Sequence, residues 1–327
     1  MITDSSLQFF FTNLNTMLGE AYTTTPIVHD KFASVIPVTS EDWKAGWTGR
    51  MDKMRVWAGP RVTEEPAPQT YTVSMIPFEQ TRKIDRFRLD DDTMGLYYRM
   101  LPDMAVQAKR LPDFQIRDLL QNLNAYVGIR QNGLDGLTHF NTAHPVDLFD
   151  AGKGTYCNDF TGGGVSIGGV TVGGAMSPTA VSTLWTYMSG YKAEDGEPLG
   201  IEPNMILAPS TMKLEVDLIL KSTFFAPPSW GTVTGQVGAA DNPLQRFGME
   251  PLYWPLLNNA QGTNWYMLDT NHAMKPFTWL QRTAPVFQYL IDENSAPVFN
   301  EHSYVYGAWA RGSAAWSFAW LSARSGP

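Results

Sequence analysis

The feature that most restricts the fold is a strand with no obvious sheet to join. Gln69 to Phe78 alternates Tyr71, Val73 and Met75 against Thr70, Thr72 and Ser74, the period-two pattern of a strand with one buried face. Met54 to Val62 reads as its hairpin partner. Thr63-Glu64-Glu65-Pro66-Ala67-Pro68 reads as the tip, where the prolines stiffen the chain and cannot join a ladder. No third strand pattern lies close by in sequence, and a two-stranded ribbon is marginal by itself. Its apolar face has to lie on another surface.

The first forty-five residues pose the same problem. Phe10, Leu14, Met17 and Leu18 fall at helical spacing, followed by a Thr-rich stretch at Tyr22-Thr23-Thr24-Thr25-Pro26. A helix this short does not hold alone and must pack on something else. Composition sharpens the point. The chain has 327 residues, enough for about two domains. Only 17% are charged, against about 25% in an ordinary soluble protein, while aromatics reach 13% with eleven Trp. So few charges and so many aromatics imply that much of the surface is covered by other subunits. Lys plus Arg is 24 and Asp plus Glu is 32, a net charge of −8, which argues against a dedicated nucleic-acid binder.

No run approaches 18 apolar residues, and Met1-Ile2-Thr3-Asp4 lacks the basic and apolar regions of a signal peptide. The expectation is a soluble, cytoplasmic, oligomeric protein with no membrane partner. The single cysteine, Cys157, leaves no internal disulfide and no zinc site built on Cys pairs.

Further along, Asp90-Asp91-Asp92-Thr93 should start a helix, because acids favour its N-terminus. Met94, Tyr97, Leu101, Met104, Ala105, Ala108 and Leu111 form its stripe, and Pro102 should kink it. Pro112-Asp113 opens a second helix through Ile116, Leu119, Leu120 and Leu123. Residues 128–176 are loop-rich. Ser177-Pro178 places an N-cap and an N1 proline ahead of Val181, Leu184, Trp185 and Met188. Ile206 to Pro209 reads as a strand, and Ser210 as the cap of a helix with Leu214, Val216, Leu218 and Ile219 inside. Strand patterns return at 249–257, 264–269, 276–291 and Tyr304 to Leu321, where Trp316, Phe318 and Trp320 alternate with Ala315, Ser317 and Ala319. The mixture is α+β, not a repeated βαβ.

No pattern of catalysis or cofactor binding holds up. Gly164-Val165-Ser166-Ile167-Gly168 matches the nucleophile elbow, but its flanks are a glycine-rich ribbon where the elbow needs a strand before and a helix after. His139, His144, Asp147 and Asp150 could ligate a metal, yet His-x4-His suits no common zinc site, and a loop with a capping histidine accounts for it better. His29, His272 and His302 show no partner set of acids or cysteines. Cys157 has no basic neighbour except Lys153 to lower its pKa. No phosphate cradle of the G-x-x-x-x-G-K type is present. The expectation is no catalytic residue, no metal and no cofactor. Between Arg50 and Arg88 there are eight Lys/Arg and five Asp/Glu. They are either a solvated strand face or charges that meet neighbouring subunits. The second reading makes Arg55, Arg61, Glu64, Glu65, Arg82, Arg86 and Arg88 the candidate inter-subunit contacts.

Several segments carry a resemblance. Gly46-Trp47-Thr48-Gly49, then Met54-Arg55-Val56-Trp57-Ala58-Gly59-Pro60-Arg61, resembles the opening of the hairpin arm in the Mu-like phage major head subunit family. Phe140-Asn141-Thr142-Ala143-His144-Pro145 is similar to that family's F-x-T-x-H-P segment, with Ala143 where an acid is usual. Trp265-Tyr266-Met267-Leu268-Asp269-Thr270 with Lys275-Pro276-Phe277 resembles its W-Y-L-L-D-T and K-P stretch. The ordered set extends from about residue 8 to the C-terminus. Pro102 and an enlarged glycine-rich loop at 161–174 are further departures.

The resemblance implies an α+β capsid fold of the Hong Kong 97 type and a head protein that assembles with itself, as hexamers and pentamers, into an icosahedral shell. It implies an N-terminal arm at 1–45 and an E-loop hairpin at 46–92. A spine-helix part of the P-domain would follow at 93–130, an A-domain at 131–284, and C-terminal strands returning to the P-domain at 285–327. The implied partners are a portal, decoration proteins and a scaffolding protein; the N-terminus shows no charged, scaffold-like helix, so a scaffold or maturation protease is expected to be encoded separately or to cut an extension absent here. DNA would be enclosed without specific binding, and assembly would take place in the bacterial host cytoplasm. Some members of this fold weld subunits through an E-loop lysine; this chain has no lysine between Lys53 and Lys83, so a non-covalent shell is expected. The alternatives are a tail-tube or sheath subunit and an encapsulating compartment shell. A β-rich hydrolase using Ser166 is the remote third.

Overall fold

Short-range chemistry sets the helices. Ser177 Oγ accepts from the Ala180 amide at 3.1 Å and Pro178 occupies the first turn, so a helix covers Pro178–Ser189 as the spacing requires. Pro112 likewise occupies the first turn of Leu111–Leu120, though without a side-chain cap, and Pro102 sits inside the preceding helix, Leu96–Lys109. The structure is a computed structural model that describes residues 16–47, 59, 69–91, 96–121, 132–225, 240–258, 263–292 and 295–327.

We number the helices α1 (16–24), α2 (Arg86–Asp90), α3 (Leu96–Lys109), α4 (Leu111–Leu120), α5 (Pro178–Ser189), α6 (Lys213–Lys221) and α7 (Ala296–Glu301). The strands that build the body are β1 (Ala33–Pro37), β2 (Asp42–Trp47), β3 (Gln69–Ser74), β4 (Ile76–Asp85), β5 (Asp159–Phe160), β6 (Val165–Ile167) and β7 (Val170–Val172). They continue with β8 (Met205–Pro209), β9 (Glu250–Trp254), β10 (Trp265–Leu268), β11 (Phe277–Leu290), β12 (Ser303–Trp316) and β13 (Ser322–Ser325).

Two main sheets result. One runs β1-β11-β12-β4; the other runs β9-β8-β10-β13-β5. Val181, Leu184 and Met188 of α5 and Val216, Ile219 and Leu220 of α6 pack on one face of the five-stranded sheet, through Ile206, Ala208 and Met267. Its other face, through Leu207 and Leu268, shares a core with Ile116, Leu119 and Leu120 of α4 and with Phe277 and Trp316 of the four-stranded sheet. Helix α4 is thereby wedged between the sheets. Met104 and Ala105 of α3 and Leu18 of α1 cover Tyr304, Tyr306 and Ala308 further along β12. The glycine-rich ribbon β6–β7 turns at Gly168 and Gly169, with φ of +58° and +84°, a two-residue turn that glycine permits. Gly173, at φ +72°, lies so close to Phe160 that an added Cβ would stand 2.5 Å from the Phe160 Cβ.

Several expectations shift. Gln69–Ser74 pairs antiparallel with Asp42–Trp47, Trp47 opposite Gln69 and Asp42 opposite Ser74, so the described ribbon pairs β3 with β2, a partner the sequence reading did not name. Met54–Val62, apart from Gly59, and the tip at 63–68 lie outside the described residues. The segment Ala33–Pro37, expected within an arm, is a parallel edge of the four-stranded sheet, held in register by β11. A boundary at 284/285 falls inside β11. Of the C-terminal strands, β12 belongs to the four-stranded sheet, whereas β13 pairs with β10 in the other one.

Ser210 caps nothing: it starts a single 3-10 turn, and α6 begins at Lys213. Leu214 is 72% exposed and Leu218 is also exposed, because Val216, Ile219 and Leu220 take the buried face. The last alternating stretch is not one strand. Chain direction changes after Trp316, where the Ser317 amide bonds to the Pro276 carbonyl, and Phe318 and Trp320 stack on each other at 4.5 Å.

Candidate assembly surface

Residues Tyr71, Val73 and Met75 of the β2–β3 ribbon lie on Leu280 and Ala315, which face outward from the helix-covered side of the four-stranded sheet. Trp43 meets Tyr71 edge-on at 6.4 Å, and Ser74 donates to Asp42 Oδ1 at 2.6 Å, closing the ribbon's root. The surface that the orphan strand required is therefore, at this end, the chain's own sheet. Beyond Leu280 that cover stops. β11 takes in extra residues between Gln281 and Thr283 and again between Thr283 and Val286, and its burial falls away from there to Leu290. Val286 and Trp309, cross-strand partners, are both exposed, as are Tyr289 and Leu290. At the same end Phe87 of α2 and Phe299 of α7 are 62% and 76% exposed. Such a collection of large apolar side chains at one end of a sheet is the character of a contact surface.

The charged candidates divide. Arg82 and Arg88 are exposed and Arg86 is half-buried; they follow one another along the chain where β4 runs into α2. Asp85 caps α2 by accepting from the Phe87 amide at 2.8 Å. Arg82 lines a cleft of about 520 Å³ with Asp103, Gln107 and Phe114, between β4 and the helices. Lys83, beside it in sequence, forms an ion pair with Glu301 of α7. Arg55, Arg61, Glu64 and Glu65 lie outside the described residues.

The histidines are structural. His144 is fully buried; its ring reaches Asp135 Oδ2 at 2.5 Å on one side and the His139 carbonyl and Asn158 Oδ1 on the other. Asp147 pairs with Lys153 at 3.0 Å and Asp150 caps the Gly152 amide, so the suggested metal set points four ways. Among the described residues no three metal-binding side chains converge. His139 stacks on Trp316 at 3.9 Å and its Nε2 lies 2.7 Å from Ser322 Oγ. Burial, reinforced by His144 and Arg324, pushes the His139 pKa well below the usual histidine value.

Two histidines expected to lack acidic partners have them. His29 Nδ1 meets buried Asp113 Oδ1 at 2.8 Å, and the same carboxylate accepts from the His29 amide. His272 meets Asp269 at 3.1 Å. The second pair is three residues apart and was legible; the first spans 84 positions and left no sequence signal. Burial pushes the Cys157 thiol up to about 11. Ser166 is exposed on the β6–β7 ribbon with no following helix, so no nucleophile elbow exists. Among the described residues no helix is long and apolar enough to cross a membrane.

Comparison with known proteins decides the family. The profile described as Mu-like prophage major head subunit gpT matches residues 7–167 and 255–326. The chain belongs to the Mu-like prophage major head subunit family. The match skips 168–254, which holds α5, β8, α6 and β9, and the three motif segments all lie in the matched parts. The chain is 26% identical over 158 residues to the major capsid protein of Escherichia phage Mu, covering 48% of this chain and 50% of that relative. It thus spans about half the length of the curated relative it matches.

Among solved structures, the procapsid of bacteriophage JBD30 aligns with 99% of this head-subunit chain and 76% of its own, at a TM-score of 0.54 and 23% identity. The capsid of the native GTA particle covers 91% of this chain and 88% of its own, at 0.52 and 16%. The fold is the α+β capsid fold of the Hong Kong 97 type.

Proposed function

We propose that this chain is the major head protein of a tailed bacteriophage or prophage, a subunit that assembles with itself into an icosahedral shell around packaged DNA. Membership of the head-subunit family carries the reading. The exposed apolar end of the four-stranded sheet and the low charge fraction support it, since both call for neighbours. On this reading the four-stranded sheet with α3 and α4 is the P-domain, and the five-stranded sheet with α5 and α6 is the A-domain. The β2–β3 ribbon is the root of the E-loop. The subunit has no catalytic role, and DNA is held by enclosure without sequence contact. Assembly takes place in the host cytoplasm, as hexamers and pentamers, with separately encoded scaffold and portal proteins. One JBD30 capsid is described as decorated with minor capsid protein trimers, and a decoration partner is part of the same proposal.

Negative-stain microscopy of the full-length chain at high concentration, alone and with its scaffold, tests the reading. Closed icosahedral particles are expected. A chain that stays monomeric in both conditions overturns it, and open tubes would point to a tail-tube or sheath subunit.

A further inference from the structure

Two patches of the five-stranded half stand at opposite edges of its sheet, and they are complementary in character. The first is the outer face of α6. Leu214 and Leu218, one helical turn apart, are 72% and 56% exposed, because Val216, Ile219 and Leu220 take the side that faces the core. The helix lies against β9, where the Tyr253 hydroxyl donates to Asp217 Oδ1 at 2.7 Å, and β9 is one edge strand of the sheet. The second patch is a cleft of about 920 Å³ beside the opposite edge strand, β5, whose Phe160 meets the cleft residue Tyr187 edge-on at 5.6 Å. Ile167, Val170 and Val172 of the β6–β7 ribbon form one wall of the cleft, and Thr183 and Thr186 of α5 contribute to another. These threonines are less polar than their type suggests. Thr183 Oγ1 donates to the Thr179 carbonyl and Thr186 Oγ1 to the Ser182 carbonyl, both at 2.9 Å. With both hydroxyls engaged by the helix backbone, the methyl groups are what remains for the cleft. An uncovered apolar knob stands at one edge of the sheet and an apolar hole at the other.

We propose that Leu214 and Leu218 of one copy of this chain seat in the cleft of the next copy, a head-to-tail contact that closes subunits into rings. The inference rests on the shell-subunit reading and deepens it by naming a contact. Patches at opposite edges of one sheet cannot meet within a chain, whereas a rotated copy brings each against its complement. A contact between unlike patches repeats from copy to copy and makes a ring when the rotation closes. A second copy is the occupant because one chain carries both halves of the fit. Both halves also fall mainly in 168–254, the stretch that the family profile skips: all of α6, and the cleft from Val170 to Gly196. The contact thus belongs to this chain and not to the matched part of the family. Two leucines cover far less than the roughly 800 Å² per partner of a standard interface, so the contact is weak in a pair and acts alongside others in a shell.

The test uses the full-length chain, with shell yield by sedimentation and microscopy and subunit melting temperature as separate readouts. Leu214→Ser/Leu218→Ser should lower shell yield by about tenfold or more and leave the melting temperature unchanged, since both side chains are exposed in the subunit. Thr186→Glu, which puts a charge on an exposed position of the cleft wall, should do the same. Normal yield from either variant overturns the proposal; normal yield from Thr186→Glu alone would mean that α6 meets something other than the cleft. A cross-link reads the geometry directly. Leu218→Cys with Thr186→Cys, assembled in reductant and then oxidised, should give disulfide-linked species up to pentamers and hexamers on a non-reducing gel. Each single variant should stay monomeric, because Cys157 is buried. A paired variant that assembles but stays monomeric, or stops at dimers, overturns the head-to-tail contact. Absence of shells from the unaltered chain would instead reject the shell reading itself.

Discussion

Strand β8, inside the five-stranded sheet, is buried at all five positions, whereas β11, inside the four-stranded sheet, is buried for four residues and then opens progressively toward Leu290. The polar groups follow the same division. In the five-stranded half Ser325 Oγ accepts from the Gly174 amide and donates to its carbonyl, while Asn158 bonds His139, Asn141 and Ala319 backbone groups. In and beside the four-stranded half, Thr278 Oγ1, Arg282 Nη1, Arg311 Nε, Trp316 Nε1 and Ser317 Oγ are buried without a hydrogen-bond partner. A region that leaves both apolar surface and polar atoms unmatched is finished by something outside itself. The five-stranded half satisfies the buried polar groups named here but leaves Leu214 and Leu218 of α6 exposed, whereas the four-stranded half leaves both exposed apolar side chains and buried polar atoms without partners.

That contrast can be broken by mutation, and the effects on subunit stability should fall in order. Leu184→Ala, in the core under α5, should cost about 2–5 kcal/mol in chemical denaturation, because a buried leucine is replaced by a cavity. Asp113→Ala tests whether the four-stranded side is also firm where it meets α4. It leaves His29 and a buried backbone amide without their acceptor and should cost about 3 kcal/mol by the same measurement. A cost below about 1 kcal/mol would show that the junction is as open as the far end of β11.

The pH dependence comes next. His139 is neutral in the folded chain because its pKa is depressed, whereas in the unfolded chain it titrates near about 6.5. Its stabilising contribution is therefore full above about pH 6.5 and is lost as pH falls below that value, by up to about 1.4 kcal/mol per unit. Denaturation series for the wild type and His139→Gln between pH 7 and 5 should diverge in slope by that amount. Equal slopes would mean another group dominates. Phe299→Ser should change subunit stability by no more than about 0.5 kcal/mol yet reduce shell yield, since the side chain is exposed in the subunit. Smallest of all should be the reaction of Cys157 with a thiol reagent at pH 7.5. With the thiol pushed up to about 11 and buried, the native chain should stay unlabelled until it unfolds.

The amino-acid sequence by itself determined several elements whose cause lies within a few residues, though it missed α2, which Asp85 caps locally. Ser177-Pro178 and the spacing of Val181, Leu184 and Met188 specified α5, alternation marked β3, and strand-like patterns marked β10 and β11. Motifs such as Trp265 to Thr270 carried the family for the same reason: they are contiguous. Tertiary structure decided what joins what. Whether β3 pairs with 42–47 or with a later segment depends on which face Leu280 and Ala315 can cover, and those residues are over two hundred positions away. The exposure of Leu214 and the burial of Val216 two residues later depend on where the five-stranded sheet stands relative to α6. His29 acquires Asp113, and Arg282 and Arg311 acquire each other as neighbours, through packing and strand register. Local periodicity reports only that a face is apolar; which distant surface meets it, and which polar groups are thereby buried with or without partners, is settled when the burial of the whole chain is satisfied at once.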